Sequence, residues 1–347
     1  MSRADFRLSL VVPVYNEEES IDAFISAIDT ELAPLKDQLE IVFVNDGSRD
    51  RTREVVEQAI ARDPRVTLVN LARNFGKEAA MTAGLHQAKG DAIVPMDVDL
   101  QDPPSLILEF VKLWQTGDYD TVYGIRVDRS ADTPMKRLTA GGFYRFFNAL
   151  STSTKLPENA GDFRLIDRKV VEAIKQLPER NRFMKGLFAW AGFRAVGVPY
   201  ERPARHAGET KFNYWKLWNF ALDGLMSFSS WPLRVWSYIG VGVSFIAFLY
   251  ILKIITQVLF FGIDVPGYAS LMSVMLFLGG IQLLSLGIIG EYIGRMFVEV
   301  KQRPVYLIEG VYGQYAKQDE EQKQEVPTTS KKGAAKAADD QQEQASQ

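Results

Sequence analysis

Short apolar runs alternate with longer amphipathic stretches along the first third of the chain. Runs of this length predict strands, and apolar residues spaced three and four apart predict helices. The predicted strand and helix pairs are 8–14 with 17–32, 40–44 with 50–62, 66–71 with 78–89, and 92–96 with 104–115. Repeated strand–helix units predict an α/β fold with a parallel sheet and helices on both of its faces.

Two much longer apolar stretches follow. Residues 235–261 contain Lys253 as their only charged residue, and residues 268–289 contain none. A bilayer core about 30 Å thick needs roughly 20 helical residues. Soluble helices are rarely apolar on every face for this length, which disfavours the alternative of two buried core helices. We therefore expect a transmembrane hairpin of two helices joined by residues 262–267.

The charges around this hairpin predict its orientation. Arg234 precedes the first stretch, basic residues follow the second, and the connector has no Lys or Arg. The positive-inside rule then places both outer ends, the N-terminal domain and both chain termini in the cytoplasm. The polar start of the chain does not resemble a signal peptide. Residues 290–294 have a small-xxx-small spacing that suits a homo-oligomer, although glycine is common in membrane helices anyway.

The composition changes along the chain and suggests its division into regions. After Tyr315 the chain has one valine, no aromatic residue and mixed charge, which predicts disorder. The predicted regions are a cytoplasmic domain at 1–213, an interfacial amphipathic region at 214–231, transmembrane helices at 232–262 and 268–293, a cytoplasmic segment at 294–315, and a disordered tail at 316–347.

Charge and cysteine content exclude several classes of function. The 40 Lys and Arg residues against 43 Asp and Glu residues give a net charge of −3, which argues against nucleic-acid binding. The chain has no cysteine, so disulfides, thiolate zinc sites, iron–sulfur clusters and cysteine nucleophiles are excluded. The two histidines, His86 and His206, are interpreted as structural and loop residues rather than metal ligands.

Polar residues follow each of the first four predicted strands. In parallel sheets, ligands bind beyond the carboxyl ends of the strands. Loop polarity and helix capping explain any one such cluster, whereas four at one sheet edge favour a bound polar ligand. The clusters are Tyr15-Asn16-Glu17, Asn45-Asp46-Gly47-Ser48, Arg73-Asn74 and Asp97-Val98-Asp99.

The last cluster predicts a metal site. In an extended chain, Asp97 and Asp99 would point to the same face, and two close carboxylates repel unless a cation lies between them. Gln101 continues the alternation with an amide oxygen. Such oxygen ligands suit Mg²⁺ or Mn²⁺, completed by phosphates and water. The dinucleotide fingerprint and the Walker lysine loop are both absent from the sequence.

Taken together, these residues resemble the family-2 inverting glycosyltransferases, specifically the polyisoprenyl-phosphate branch. The resemblance covers residues 8–310, and the chain is most similar to the bacterial bactoprenol (undecaprenyl-phosphate) glucosyltransferases of O-antigen modification. Dolichyl-phosphate mannose synthases are related, but they usually carry a Ser-Gly-Phe-Arg block where this chain has Gly161-Asp162-Phe163-Arg164. The matching blocks are residues 11–18, 44–52, 73–78, 96–104, 161–165, 179–183 and 208–212.

The resemblance implies a GT-A type, Rossmann-like, mostly parallel sheet and a metal-dependent hexosyl transfer at the bacterial inner membrane. The implied donor is UDP-glucose, with GDP-mannose or another nucleotide sugar as the alternative. Asp97, Asp99 and Gln101 would hold the metal at the diphosphate, and Asp162 would be catalytic or position the sugar. The residues implied around the base and ribose are Pro13, Tyr15, Glu17 and Asp46.

The implied acceptor is a polyprenyl phosphate whose oxygen attacks the anomeric carbon of the sugar. A phosphate monoester with a second pKa of about 6 needs no strong general base. Arginine binds phosphate bidentately, so we expect Arg126 and Arg137 to bind the acceptor phosphate. Arg205 and Lys211, which lie nearer the membrane, are further candidates. The alternative is that these are solvated surface residues. The aromatic, basic stretches 143–147 and 214–220 suit the headgroup region or, for the first, the core. A remote alternative function is an inactive membrane scaffold.

Overall fold

The structure is a computed structural model that describes residues 3, 5–127, 157, 160–180, 182–201, 231–261 and 267–313. Several predicted features lie outside the described residues. They are the aromatic stretches 143–147 and 214–220, nearly all of the interfacial region 214–231, most of the connector 262–267, and the tail 316–347.

Strands and helices alternate through the first part of the chain, as the hydrophobic pattern predicts. The strands are β1 (Leu8–Val14), β2 (Leu39–Asn45), β3 (Val66–Leu71), β4 (Ala92–Pro95), β5 (Thr121–Arg126), β6 (Ala160–Asp167), β7 (Ala195–Tyr200) and β8 (Ile308–Tyr312). The helices are α1 (Ile21–Glu31), α2 (Thr52–Arg62), α3 (Lys77–Gln87), α4 (Leu106–Gln115), α5 (Arg168–Lys175), α6 (Met184–Trp190), α7 (Trp231–Phe261) and α8 (Tyr268–Lys301).

All eight of these strands form one sheet in the order β7-β5-β6-β4-β1-β2-β3-β8. The four strands predicted from the first third pair in parallel, and β5 pairs in parallel with β7. β6 runs antiparallel between β4 and β5, and β8 runs antiparallel along β3. The α/β prediction is therefore confirmed, but the sheet is mixed, because β6 and β8 enter it in the opposite direction.

Helices cover both faces of the sheet, as predicted. Along β1, Leu8, Leu10 and Val12 pack into a core with α1, α2 and α4, while Val11 packs with α3 and α5 on the other face. Each fully buried aliphatic side chain contributes about 1.5–3 kcal/mol to stability. α3 approaches β1 closely at Gly84, where an added Cβ would lie 2.3 Å from Val11 Cγ1.

α7 and α8 are long helices of 31 and 34 residues. Among the described residues, one helical stretch, the 25-residue Phe277–Lys301 in α8, is long and apolar enough to cross a membrane, with a mean hydropathy of 1.4 over an 18-residue window. None of its most apolar window is buried in the protein. The described part of α7 offers a shorter apolar stretch, Tyr238–Tyr250, so a crossing by both helices stays a prediction.

The chain returns to the sheet after α8, which the sequence did not predict. The helix continues to Lys301, past the predicted end of the span at residue 293, and Gln302 ends it in the left-handed conformation at φ 48°. The backbone N–H of Ala72 then donates to Leu307 O at 2.9 Å, and β8 follows. The segment predicted only as cytoplasmic, 294–315, thus supplies an edge strand to the sheet.

Candidate active site

The loops that follow β1 and β2 are joined by hydrogen bonds at the carboxyl edge of the sheet. The backbone N–H of Asn16 donates to Ser48 Oγ at 3.0 Å, and the backbone N–H of Arg49 donates to Asn16 Oδ1 at 2.8 Å. The backbone N–H of Glu17 donates to Thr52 Oγ1 at 2.9 Å. Tyr15 and Glu17 therefore lie on a loop that the β2 loop supports, as the sequence predicted for polar clusters at one edge.

Asp46 holds the loop that follows β3. Its two carboxylate oxygens accept from the backbone N–H groups of Phe75 at 2.7 Å and Gly76 at 2.9 Å. Burial raises the pKa of Asp46 above its ordinary value, although these hydrogen bonds oppose the rise. The neighbouring Gly47 has φ 65°, and an added Cβ would lie 2.6 Å from the backbone of Arg73, so the two loops touch at this glycine.

The two aspartates of the D-x-D motif lie on a turn and not in an extended chain. β4 ends at Pro95, and Leu100 has φ 54°. The backbone N–H of Gln101 donates to Asp99 Oδ1 at 3.2 Å, which closes the turn. The expectation that strand alternation points Asp97, Asp99 and Gln101 to one face is therefore wrong, because the strand ends before the motif begins.

Lys77 brings two distant carboxylates together. This residue begins α3, and its Nζ lies 2.6 Å from Asp97 Oδ1 and 3.6 Å from Asp162 Oδ2. Desolvation is the largest influence on the pKa of Lys77 and lowers it, but the carboxylates of Asp97 and Asp162 together outweigh it and raise the pKa. The ammonium group therefore stays charged between the two acids.

Asp162 lies on β6 among positive charges. Desolvation alone would raise its pKa, but the charges of Lys185, Lys77 and two arginines outweigh it and hold the pKa below the ordinary value. Asp162 Oδ1 is buried and has no hydrogen-bond partner within the described structure. The carboxylate is therefore ionised at neutral pH and has one oxygen still able to accept a ligand.

A small cavity of about 30 Å³ joins these groups at the strand ends. Its lining includes Pro13, Met96, Asp97, Arg126, Asp162 and Lys185. The predicted donor residue Pro13, the predicted metal ligand Asp97, the predicted catalytic residue Asp162 and the predicted phosphate residue Arg126 thus meet at one place. A larger groove of about 820 Å³ lies at the opposite end of the sheet, and its Arg62 and Arg65 already pair with Asp22 and Asp29.

Arg126 is oriented by a tyrosine and an aspartate. The Tyr200 hydroxyl donates to Asp102 Oδ1 at 2.5 Å and accepts from Arg126 Nε at 3.2 Å. Arg126 Nη2 lies 3.8 Å from the same Asp102 oxygen. Burial is the main cause that raises the pKa of Tyr200 to about 12, so the phenol keeps its proton and continues to donate.

The donor atoms fit a divalent cation that a substrate completes. Within the described ranges, no group of three or more histidine, aspartate or glutamate side chains is placed to hold a metal ion by itself. The site instead offers the Asp97 carboxylate and the unpartnered Asp162 Oδ1, with the Lys77 ammonium beside Asp97 and Asp162. Mg²⁺ is typically bound by one or two carboxylates plus phosphates and water.

Sequence reasoning missed five residues of this site, and three of the predicted residues lie outside the described part of the chain. The missed residues are Lys77, Glu78, Lys185 and the pair that orients Arg126, Asp102 and Tyr200. Lys77 lies inside the matching block 73–78, and Lys185 lies two positions after the block 179–183, so motif position was the available signal. Glu78 accepts from the backbone N–H of Met184 at 3.0 Å, which holds α6 and Lys185 against α3. The predicted phosphate residues that lie outside the described residues are Arg137, Arg205 and Lys211.

Known proteins match this chain along most of its length. The model of Glycosyl transferase family 2 matches residues 9–175, and that of the GtrB C-terminal hairpin matches residues 231–296. An uncharacterized glycosyltransferase of Synechocystis is 52% identical over 88% of this chain and 96% of its own length. A prophage-derived bactoprenol glucosyl transferase of Shigella flexneri is 52% identical over 87% of this chain and 97% of its own length. A prophage bactoprenol glucosyl transferase homolog of Escherichia coli is 51% identical over 88% of this chain and 99% of its own length.

A solved structure with lower similarity is that of glucosyl-3-phosphoglycerate synthase from Mycobacterium tuberculosis, in complex with Mn²⁺, UDP and phosphoglyceric acid. It is 19% identical and aligns over 65% of this chain and 78% of its own, with a TM-score of 0.42. The relatives that are about half identical over nearly their whole length carry the family assignment. This chain belongs to glycosyl transferase family 2 and is a glycosyltransferase that carries the GtrB-type C-terminal hairpin.

Proposed function

We propose that this enzyme transfers glucose from UDP-glucose to undecaprenyl phosphate at the cytoplasmic face of the bacterial inner membrane. The observation that carries the proposal is the cavity where the carboxylates of Asp97 and Asp162 meet Arg126 and Lys185. Two carboxylates beside two cations suit a metal-bound diphosphate that meets a second phosphate at the mouth of this cavity. The names of the Shigella and Escherichia relatives support glucose and bactoprenol as substrates.

The donor nucleotide is proposed to lie across the loops after β1, β2 and β3. Pro13 lines the cavity, and Tyr15 and Glu17 lie on the first of these loops. Asp46 shapes the same surface by holding the backbone of Phe75 and Gly76. The uracil and ribose would contact this surface, and the diphosphate would extend toward Asp97.

Asp97, Asp99 and Gln101 would hold the divalent cation. A bound Mg²⁺ or Mn²⁺ would supply Lewis-acid stabilisation of the charge that develops on the departing diphosphate. Lys77 lies 2.6 Å from Asp97, so its ammonium can also donate to a diphosphate oxygen at that position. Lys77 would thus act on the leaving group that the cation binds.

The acceptor phosphate needs binding more than it needs a base. Its nucleophilic oxygen is already largely deprotonated at neutral pH, because the second pKa of a phosphate monoester is about 6. The lowered pKa of Asp162 makes this carboxylate a weak base, which suits positioning of the sugar. Arg126 and Lys185 line the same cavity and would hold the lipid phosphate there. Arg137, Arg205 and Lys211 remain proposed as further contacts.

Delivery of a lipid-borne phosphate requires that the site lie near the membrane. The apolar stretch Phe277–Lys301 and the match of residues 231–296 to the hairpin family support membrane association. We propose that α7 and α8 both cross the bilayer, with the sheet domain and both termini in the cytoplasm. A reporter fused after Gln347 should therefore read cytoplasmic, and a periplasmic signal would refute this topology. Homo-oligomerisation through residues 290–294 stays a prediction.

A transfer assay tests the function directly. The purified full chain is incubated with undecaprenyl phosphate, Mg²⁺ or Mn²⁺, and radiolabelled UDP-glucose, GDP-mannose or other nucleotide sugars. We expect label in the lipid fraction from UDP-glucose, and loss of that label when the metal is chelated. Transfer from GDP-mannose instead would show that GDP-mannose, and not UDP-glucose, is the donor. Transfer from no donor would refute the enzyme assignment and favour an inactive scaffold.

A matched pair of variants tests the metal site. Asp99→Ala should abolish transfer while the protein stays folded, because it removes a carboxylate ligand and costs the fold only the hydrogen bond from the backbone N–H of Gln101. Asp118→Ala removes an exposed carboxylate that follows α4, near the start of β5, and should leave transfer unchanged. Equal activity of Asp99→Ala and the wild type would remove the metal from the mechanism.

A further inference from the structure

A chain of side-chain hydrogen bonds crosses the sheet edge from β8 to β2. Asn70 Nδ2 on β3 donates to Glu309 on β8, and Asn45 Nδ2 on β2 donates to Asn70 Oδ1 at 2.6 Å. Asn45 and Asn70 are buried, at 2% and 3% exposure. Buried amides are nearly always paired, so this short chain is part of the native arrangement of the sheet.

This series of hydrogen bonds continues into the loops that we propose bind the nucleotide. The backbone N–H of Ser48 donates to Asn45 Oδ1 at 3.1 Å, and the backbone N–H of Asn16 donates to Ser48 Oγ at 3.0 Å. Asn16 has φ 54°, a left-handed conformation that asparagine adopts more readily than most other non-glycine residues. The loop after β1 thus depends on contacts that begin at the strand after α8.

Glu309 at one end and the backbone N–H of Ser48 at the other fix the direction of the two amides between them. A carboxylate only accepts, whereas a primary amide donates at one end and accepts at the other. Asn70 must therefore turn Nδ2 toward Glu309 and Oδ1 toward Asn45. Asn45 must in turn donate to Asn70, which leaves its Oδ1 to accept from Ser48. Without an acceptor at residue 309, the buried Asn70 Nδ2 loses its partner, and the amide can shift away from Asn45.

We propose that Glu309 is a positioning residue for the donor nucleotide, acting through Asn70 and Asn45 on the loops after β1 and β2. The inference rests on the proposed function, since it assigns these loops to nucleotide binding. On this proposal, strand β8, which follows the two long helices, helps to shape the donor site. Glu309 itself does not contact the substrate.

The strand has other contacts that keep it docked when Glu309 is changed. Arg53 Nη2 donates to the Tyr312 hydroxyl at 2.9 Å, and its guanidinium lies 5.2 Å from the centre of the Tyr312 ring. The Tyr306 hydroxyl lies 2.7 Å from His86 Nδ1 on α3. Arg53 Nη1 also lies 3.6 Å from Glu309 Oε1. Tyr312→Phe is a matched control, because it removes a hydrogen bond of β8 outside the amide chain and keeps both Glu309 and Arg53.

The experiment compares Glu309→Ala, Glu309→Gln and Tyr312→Phe in the purified full chain. UDP affinity is measured by calorimetry, and KM for UDP-glucose, KM for undecaprenyl phosphate and kcat are measured by the transfer assay. Loss of one hydrogen-bonded contact to a charged group should raise the UDP dissociation constant and donor KM of Glu309→Ala by about tenfold. The acceptor KM and kcat should stay within about twofold. Glu309→Gln retains an acceptor oxygen and should recover most of the UDP affinity.

Three results would overturn the inference. They are unchanged UDP affinity in Glu309→Ala, an equal loss in Tyr312→Phe, and no UDP binding by the wild type. A loss confined to thermal stability would likewise show a merely structural role. If the wild type binds UDP but transfers no sugar, the proposed function fails, while the comparison of UDP affinities still decides the role of Glu309.

Discussion

The Tyr200 hydroxyl connects the sheet to the proposed phosphate site, and its removal is a sharp test of that geometry. Tyr200→Phe deletes the O–H group that joins Asp102 and Arg126 but keeps the ring, which packs edge-on against Phe163 at 6.2 Å between centroids. The substitution therefore changes hydrogen bonding with little change in core volume.

The size of the effect follows from burial and charge. Tyr200 is only 7% exposed, and its hydroxyl donates to a carboxylate. A hydrogen bond to a charged group contributes about 1.5–3 kcal/mol, so Tyr200→Phe should lower the free energy of unfolding by about 2 kcal/mol. In a domain of 150–250 residues this corresponds to a melting temperature lower by about 4–8 °C.

The raised pKa of Tyr200 adds a pH signature. The value of about 12 in the fold lies above the ordinary value of 10.0, mainly because the phenol is buried. The stabilisation is therefore complete below pH 10 and is lost between pH 10 and 12, where the unfolded state ionises first. A shift of two pKa units corresponds to a loss of about 2.7 kcal/mol in the free energy of unfolding over this pH range. Tyr200→Phe has no hydroxyl to ionise, so its stability should not show this loss.

Thermal unfolding of the full chain, scanned from pH 7 to pH 12, measures both quantities. The gap between the wild type and Tyr200→Phe should be largest near neutral pH and close as the pH rises through 10. The transfer assay should also show a higher KM for undecaprenyl phosphate, because Arg126 loses the contact that orients it. Equal melting temperatures at pH 7, or a gap that does not depend on pH, would refute this reasoning.

Three further predictions concern the rest of the fold and the site. Desolvation opposes ionisation of Asp120, yet bonds from Arg194 and other cations lower its pKa to about 2, so its stabilisation is present above pH 4 and lost toward pH 2. Asp120→Asn should cost about 2 kcal/mol at pH 7, and a denaturant titration showing no loss would contradict this. Gly47→Ala should lower stability by about 1–3 kcal/mol and weaken UDP binding, because its Cβ would meet backbone 2.6 Å away. Gly117→Ala, at φ 84° with open space around it, should cost less and leave UDP affinity intact, and equal effects would argue against a loop contact. Lys185→Gln should raise the KM for undecaprenyl phosphate by about tenfold and leave the KM for UDP-glucose unchanged. A raised KM for UDP-glucose alone would show that Lys185 binds the donor instead.

Local patterning determined much of the fold in advance. The apolar runs at 8–14 and 66–71 are strands with the predicted bounds, because short windows of buried residues specify a strand wherever it lies in the sheet. The polar clusters after these strands meet at one edge, since parallel strands share their direction. The position of the D-x-D motif near the site was predicted as well, although its conformation was not, because the turn begins where β4 ends.

Contacts between distant parts of the chain were decided by the tertiary structure. Lys77, Asp97 and Asp162 come from three elements, and nothing in their local sequence indicates that one ammonium lies between the two acids. The antiparallel entry of β6 is what carries Asp162 to the edge of β4, and that direction depends on strand order rather than on any local pattern.

The amino-acid sequence by itself determined the family, the alternation of strands and helices, and the presence of two long helices, α7 and α8. The tertiary structure alone placed β8 beside β3 and connected Glu309 through Asn70 to Asn45. The physical reason is that hydrophobic periodicity is a property of neighbouring residues, whereas the register between strands far apart in sequence is set by packing of the whole sheet.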